Sequence, residues 1–182
     1  MLLLFWVAAA AQPSIVFEQP INASGIADLN AGDWFGYDMA PIGDLNGDGV
    51  NDIAVGAIYD GDGGMTRGAV YILFMTSAGT VGSYQKISDT QGGFQGVLVD
   101  EAFFGSSITN LGDINGDGVQ DLAVGATGDD DGGSWAGSVW ILFMNTDGTV
   151  NGEQKISALS GSFNAGLEAV DRFGVGLDSI GD

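Results

Sequence analysis

The sequence predicts an all-β fold made of β-propeller blades, which are four-stranded antiparallel sheets. The chain has 182 residues, with 32 glycines, 3 prolines and 45% apolar residues. This composition is typical of many short strands joined by tight turns around a core. No long segment has apolar residues at helical spacing without an interrupting glycine, which argues against helices.

An internal repeat defines the units of the fold. GDLNGDGVNDIAVGA at 43–57 returns as GDINGDGVQDLAVGA at 112–126, and the two periods align without a gap. Phe35-Gly36 returns at the same step as Phe104-Gly105 and again as Phe173-Gly174. Repetition of a unit that can hold four strands is the sequence signature of propeller blades.

Each period contains four segments that we predict to be strands. The first follows Phe-Gly at about 35–42, and the second is the apolar run VNDIAVGA at 50–57. The third is AVYILFM at 69–75, and the fourth is YQKIS at 84–88. Strands two and three are apolar on both faces, as expected for sheets that pack between neighbouring blades.

These units predict about two full blades between two partial ones, as in a fragment of a larger propeller. The boundaries are a partial blade with an outer strand at 13–34, full blades at 35–103 and 104–172, and the start of a third repeat at 173–182.

The N-terminus adds two predictions. Residues 1–11 form an apolar run that ends in small residues, which favours a secretory signal peptide, although no basic residues precede the run. A buried first strand is the alternative. Asn22-Ala23-Ser24 is a glycosylation sequon, which matters only on a eukaryotic secretory route.

The charge of the chain limits its partners. The formal net charge is −20, from 24 acidic and 4 basic residues. Such a surface repels nucleic acid and anionic membranes and attracts cations. The chain has no cysteine and no histidine, so it lacks thiolate and imidazole ligands and the commonest general base. We therefore predict that it is not an enzyme and that it has no catalytic residues.

Each repeat carries an acidic turn with oxygen-bearing side chains at alternate positions. The predicted metal ligands are the side chains at positions 1, 3, 5 and 9 of the turn and the backbone carbonyl at position 7. They are Asp44, Asn46, Asp48, Val50 and Asp52 in the first repeat, and Asp113, Asn115, Asp117, Val119 and Asp121 in the second. An all-oxygen shell of this size and flexibility favours Ca²⁺ over Mg²⁺. A third site would begin at Asp182.

The acidic turns are similar to EF-hand loops in spacing but differ in context. Gly49 and Gly118 occupy position 6, where such a loop turns sharply. Position 12 is valine in both copies instead of a bidentate glutamate, and no helices flank the turn. We therefore predict a β-hairpin. The alternative is a pair of Asx turns that bind no metal.

The combination of Phe-Gly, a calcium loop and a closing Gly-Ala (Gly56-Ala57 and Gly125-Ala126) resembles the FG-GAP repeats of integrin α-chain propellers. The resemblance covers nearly everything after residue 13. It implies a seven-bladed propeller with calcium in hairpins on one face and partners on loops of the opposite face, and it implies that the ten turn residues named above are calcium ligands. The proline of the motif is replaced by Ile58 and Thr127.

Three functions are consistent with these features. The first is a calcium-binding segment of a secreted or cell-surface protein that mediates adhesion or ligand binding, with an extracellular protein or glycan as its partner. The second is a non-catalytic accessory propeller of a secreted hydrolase or lyase. The third is a structural spacer stiffened by calcium. In each case, exposed blade faces would contact further blades of the same chain or another copy.

The remaining aromatic residues are predicted from their place in the repeat. Phe35, Phe104 and Phe173 are expected in the core between blades, as are Tyr71 and Trp140 within strand three. We regard two tryptophans near strand or loop boundaries as candidates for ligand contact, and these are Trp34 and Trp135.

The remaining charged residues are expected at the surface. Five loop acids are predicted to be solvated or, alternatively, to hold a further cation, and these are Asp60, Asp62, Asp129, Asp130 and Asp131. Lys86 and Lys155 are expected to face solvent on an outer strand.

Overall fold

The computed structural model describes residues 25–180, which form two four-stranded antiparallel sheets. The first sheet contains β1 (Phe35–Gly43), β2 (Asp52–Ala57), β3 (Ala69–Met75) and β4 (Val81–Ile87). The second sheet contains β5 (Phe104–Gly112), β6 (Asp121–Ala126), β7 (Ser138–Met144) and β8 (Val150–Ile156). The strands of each sheet lie side by side in chain order. The prediction of all-β propeller blades is confirmed.

Several predictions concern parts of the chain outside the described residues. These are the signal peptide at 1–11, the sequon at 22–24, the first part of the partial blade at 13–34, and the third acidic turn at Asp182. Within 25–180, no helix is long and apolar enough to cross a membrane.

Two strands begin at different residues from those predicted. β2 begins at Asp52 instead of residue 50, because the acidic turn extends through residue 51. β4 begins at Val81 instead of residue 84, because the preceding turn closes early. In that turn, the Thr76 N–H donates to the Thr80 carbonyl at 2.8 Å, and the two hydroxyls are also 2.8 Å apart.

The main hydrophobic core lies between the two sheets. It joins Val70 and Ile72 of β3 to Phe104 of β5 and to Leu122 and Leu142 of the second sheet. The other face of β3 packs in a smaller cluster that contains Tyr71 and Leu73. All residues of β3 are therefore buried, as the doubly apolar pattern predicts.

The aromatic residues predicted in the core are buried to different degrees. Tyr71, Trp140 and Phe104 are buried, as expected, and the Phe104 side chain contacts no solvent. Phe35 and Phe173 are only half-buried. Of these three equivalent phenylalanines, Phe104 is the one that is fully buried, because its strand β5 packs against the first sheet.

The blades approach each other closely at paired glycines. A Cβ added to Gly56 of β2 would overlap the carbonyl oxygen of Gly105 in β5. The same contact recurs one repeat later, where a Cβ on Gly125 would overlap the carbonyl oxygen of Gly174. Backbone meets backbone at these points, so the neighbouring atoms cannot move aside as a flexible side chain would.

Substitution of Gly56 by alanine should therefore destabilise the chain. We expect Gly56→Ala to lower the free energy of unfolding by about 1–3 kcal/mol, as overpacking of a core does. Urea unfolding followed by circular dichroism would measure the change. Gly166→Ala is the control, because nothing lies within 4 Å of its added Cβ, and it should stay within about 0.5 kcal/mol of the unsubstituted chain. Equal midpoints for the two variants would contradict the prediction.

Candidate metal centre

The first acidic turn joins β1 to β2 and exposes three oxygen-bearing side chains, those of Asp44, Asn46 and Asp48. The backbone N–H of Asp48 donates to Asp44 Oδ1 and to Asn46 Oδ1, both at 2.9 Å. Because both oxygens reach one nitrogen, they lie close together on the same side of the turn. Asp48 Oδ1 accepts a hydrogen bond from the Val50 N–H at 2.9 Å.

The second acidic turn, between β5 and β6, repeats this geometry. The N–H of Asp117 donates to Asp113 Oδ1 at 3.0 Å and to Asn115 Oδ1 at 2.8 Å. The N–H of Val119 donates to Asp117 Oδ1 at 2.9 Å. Positions 1, 3 and 5 thus present equivalent oxygens in both blades.

Glycine is needed in these turns for its backbone conformation. Gly47 and Gly49 have φ values of 78° and 89°, and Gly116 and Gly118 have values of 79° and 90°. No atom lies within 4 Å of a Cβ built on any of the four, so space does not restrict them. A side chain would strain the left-handed backbone that brings the oxygens together.

The aspartates at position 9 lie below the exposed turns and are fully buried. Asp52 accepts hydrogen bonds from the N–H groups of Leu45 at 3.1 Å and Met75 at 3.0 Å. Asp121 accepts the equivalent bonds from Ile114 and Met144. These carboxylates tie each turn to the end of the third strand of its blade. Each Asp52 oxygen accepts one of these bonds, which leaves it a lone pair that could face a cation.

Among residues 25–180, no three acidic side chains are drawn together into a group that could hold a metal ion. The exposed carboxylates instead accept hydrogen bonds from N–H groups of their own turn, as the alternative of Asx turns requires. The donor chemistry nevertheless fits a hard cation, because every candidate ligand is an oxygen and two of the three exposed side chains are carboxylates. The ten ligands therefore remain a prediction.

Like charges act on each other in the second turn. Burial raises the pKa of the Asp121 carboxyl, and the charge of Asp117 raises it further, against hydrogen bonds from Met144 and Ile114. Repulsion between carboxylates is the cost that a bound divalent ion removes.

The lysines and most of the loop acids do not face solvent, contrary to the prediction. Lys86 Nζ lies 2.8 Å from Asp60 Oδ2 and 2.8 Å from Asp62 Oδ2, and its side chain is only 2% exposed. Tyr71 donates its hydroxyl hydrogen to Asp60 Oδ2 at 2.9 Å. The cation beside these acids is therefore a lysine ammonium group, and the alternative of a further metal site there is not supported.

The second repeat holds an equivalent ion-pair cluster. Lys155 Nζ lies 2.8 Å from Asp129 Oδ2 and 2.9 Å from Asp131 Oδ2. Trp140 replaces Tyr71, so Asp129 lacks the hydroxyl partner that Asp60 has. Asp130 alone of the five loop acids is exposed, and it accepts a hydrogen bond from the Trp135 N–H at 3.0 Å.

Lys86 and Asp62 of the first ion-pair cluster are charged at neutral pH. Burial acts to lower the pKa of Lys86, but hydrogen bonds and charges from Asp60 and Asp62 outweigh it and raise that pKa. Burial acts to raise the pKa of Asp62, but Lys86, Ser88 and Gln91 together lower it. The sequence contains a sign of this cluster, because Asp60, Asp62 and Lys86 all recur at the equivalent positions of the second repeat.

Comparison with known proteins finds a family model for the second repeat. The sequence model described as FG-GAP repeat matches residues 104–142, which contain Phe104-Gly105, the second acidic turn and β6. The second repeat is therefore similar to an FG-GAP repeat, and the first repeat has the same motifs.

Its relatives are integrin α-chains. It is similar to integrin alpha-6 of Homo sapiens (42% identical over 116 residues, 63% of this chain) and to integrin alpha-5 of Xenopus laevis (44% over 96 residues, 53%). It is also similar to integrin alpha-3 of Cricetulus griseus (34% over 146 residues, 80%). The matches cover 9%, 9% and 12% of those proteins, so the chain spans about a tenth of the length of the curated relatives it matches. The predicted resemblance to integrin α-type repeats is confirmed.

The two repeats also form an aromatic cleft at the end of the blades opposite the acidic turns. Trp34 precedes β1 and Tyr59 follows β2, whereas the first turn lies at the other end of this hairpin, about 20 Å away along the six residues of β2. The aromatic cleft has a volume of about 190 Å³. Its lining residues are Trp34, Tyr37, Ile58, Tyr59, Phe103, Ser106, Thr127, Trp135 and Arg172.

A row of aromatic rings crosses this cleft from the first repeat to the second. Ring centres are 4.5 Å apart for Trp34 and Tyr59, 5.7 Å for Tyr59 and Phe103, and 6.1 Å for Phe103 and Trp135. The Arg172 guanidinium lies 4.5 Å from the centre of the Trp135 ring. The two tryptophans proposed as ligand contacts therefore line one cleft.

Four residues of the cleft have a left-handed backbone. The φ values are 55° for Trp34, 56° for Phe103, 57° for Trp135 and 53° for Arg172. Bulky residues rarely adopt this conformation, and each such residue costs about 1–3 kcal/mol unless the surrounding structure holds it.

Proposed function

We propose that this chain is a calcium-binding FG-GAP propeller segment of a secreted or cell-surface protein and that it mediates adhesion or ligand binding. One observation carries the calcium part of the proposal. Both acidic turns present oxygens from positions 1, 3 and 5 on an exposed hairpin, with the same hydrogen bonds in each blade. Two independent copies of an all-oxygen donor set suit a hard divalent cation.

Each ion would be held by one turn. Asp44, Asn46, Asp48 and Asp52 would supply side-chain oxygens and Val50 its carbonyl, and the equivalent ligands are Asp113, Asn115, Asp117, Asp121 and Val119. A bound ion supplies positive charge that offsets the repulsion among these carboxylates. Since Asp52 and Asp121 also bond to the third strand of each blade, the ion would connect the exposed turn to the sheet.

The extracellular and adhesive parts of the proposal are supported by the similarity to integrin α-chains. A net charge of −20 supports a partner other than nucleic acid. We propose an extracellular protein or a glycan as that partner and no catalytic activity, since the sequence has neither histidine nor cysteine to act as base or thiol nucleophile.

Calorimetric titration with Ca²⁺ tests the metal assignment. We expect two ions per chain, one in each of the single variants Asp44→Ala and Asp113→Ala, and none when both substitutions are combined. Asp130→Ala is the matched control, because Asp130 is also an exposed aspartate but lies outside both turns. If the double variant still bound two ions, or if the folded unsubstituted chain bound none, the assignment would be wrong.

A further inference from the structure

The aromatic cleft is one of the places where the two repeats differ in sequence. The acidic turns and the second strands recur almost unchanged from one repeat to the next, whereas the first strands differ at most positions. At the cleft, Trp34 becomes Phe103 and then Arg172, and Tyr37 becomes Ser106. The backbone of the blades does not require these changes of side chain. Trp34, Phe103 and Arg172 have the same left-handed backbone conformation, although their side chains differ.

Backbone conformation determines how the two tryptophans reach the cleft. Glycine is the residue that adopts positive φ without strain, yet Trp34 and Trp135 occupy such positions. The same conformation recurs at the equivalent residues of other repeats, Phe103 for Trp34 and Thr66 for Trp135, so it belongs to the repeated backbone. Burial does not explain why a large aromatic residue stands at position 34, because the Trp34 side chain is 55% exposed.

The exposed rings have the shape of a stacking platform. Trp34 and Tyr37 are both more than half exposed, and their rings are inclined by only 23° at a centre distance of 6.4 Å. A hexose ring has one face of C–H groups, which the electron-rich face of an aromatic ring attracts, and hydroxyls around its edge.

A polar group without a partner lies in the wall of the cleft. Ser106 is 7% exposed, and its hydroxyl has no hydrogen-bond partner in the described part of the chain. Buried hydroxyls are nearly always paired, so this one is available to a ligand hydroxyl.

Size and charge favour a neutral sugar ring over other ligands. The cleft, at about 190 Å³, is smaller than the roughly 300–1,000 Å³ of sites for drug-sized molecules, so it suits a single ring. The guanidinium of Arg172 already lies over the ring of Trp135. A cationic ligand could therefore not make a cation–π contact with that face of Trp135. The net charge of −20 opposes anionic sugars.

We propose that the aromatic cleft binds one neutral hexose ring of an extracellular glycan, stacked on Trp34 and Tyr37 with a hydroxyl directed to Ser106. This inference rests on the ligand-binding part of the proposed function and gives that ligand a chemical class. It does not depend on the calcium ligands, which lie at the other end of the blades.

The test begins with a panel of methyl α- and β-hexopyranosides titrated into the calcium-loaded chain, with the heat of binding measured by calorimetry as the readout, because it does not depend on the tryptophan that is substituted. We expect at least one neutral hexoside to bind, and Trp34→Gly to weaken that binding at least tenfold. The thermal midpoint of Trp34→Gly should be unchanged or raised, because glycine relieves the strained φ. Ser162→Gly is the control, since Ser162 also has a positive φ of 54° but does not line the cleft, and it should bind the sugar normally.

A second variant separates a binding role from a structural one. Ser106→Ala removes the unpartnered hydroxyl, and we expect it to weaken sugar binding severalfold without lowering the midpoint. The inference is overturned if no neutral hexoside binds, if Trp34→Gly binds as tightly as the unsubstituted chain, or if only tetramethylammonium gives a signal. Calcium stoichiometry is measured on the same sample, so a chain that binds two ions but no sugar refutes this inference alone.

Discussion

Removal of calcium should lower the free energy of unfolding of this chain by about 5 kcal/mol, the sum over two sites. Extracellular calcium modules often bind with a Kd of about 10⁻⁴ to 10⁻³ M. At a free concentration of about 100 times Kd, each site adds about 2.7 kcal/mol, and the chain has two equivalent turns. This is comparable to the whole stability of many small domains, so chelation with EGTA should loosen or unfold the chain.

Thermal unfolding in EGTA and in about 10 mM calcium, roughly 100 times the lower of these Kd values, would measure this effect. General screening must be excluded, because any divalent salt reduces repulsion in a chain with net charge −20. Magnesium at equal ionic strength is therefore the control, and it should restore much less stability. If calcium left the midpoint of the unsubstituted chain unchanged, the proposed role of the two turns would fail.

Replacement of Lys86 by methionine is expected to cost about 3–5 kcal/mol, because it leaves buried carboxylates without their cation. Neither Lys86 nor Asp60 is more than 2% exposed at its side chain, so water cannot replace the lost ammonium group. Urea unfolding at pH 7 would measure the loss. In the control variant Lys86→Met/Asp60→Asn/Asp62→Asn the negative charges are removed as well, and most of the stability should return. An equal loss in both variants would show that packing, not charge, explains the effect.

The pH dependence of this cluster follows from the direction of its pKa shifts. The folded-state pKa of Lys86 is raised, so its contribution is present below its ordinary pKa of 10.5 and is lost as the pH rises through the folded value. The folded-state pKa of Asp62 is lowered, so its contribution is present above 3.8 and is lost as the pH falls through the folded value. In Lys86→Met, Asp62 loses a partner that lowers its pKa, so the loss of stability relative to the unsubstituted chain should shrink on acidification from pH 7.

Repetition made most of the fold predictable. The constant step between equivalent residues identified the blades, and a doubly apolar run identified β3 with its bounds, 69–75. The acidic turns could also be predicted, because they recur in both repeats and because the spacing within one short segment largely determines which oxygens share a turn. The starts of β2 and β4 were missed by a few positions, because the closing hydrogen bonds of turns decide where pairing begins.

The ion-pair cluster and the cleft could not be read from local pattern. Lys86 and Asp60 are distant in the sequence and meet only when β4 pairs with β3, so a lysine on an outer strand was assigned to solvent by default. Trp34 and Trp135 belong to different repeats, and only the packing of one blade on the next brings them to one cleft.

The order of strands within each sheet has a consequence for synthesis. Within each of the two described sheets the strands pair in chain order, so all hydrogen-bonded partners of a sheet have been made once its fourth strand emerges from the ribosome. Local pairing of this kind keeps loop-closure entropy low and speeds folding. The first blade can therefore form before the second has been translated, and it then offers a preformed surface, Gly56 and β3 included, on which the next blade folds.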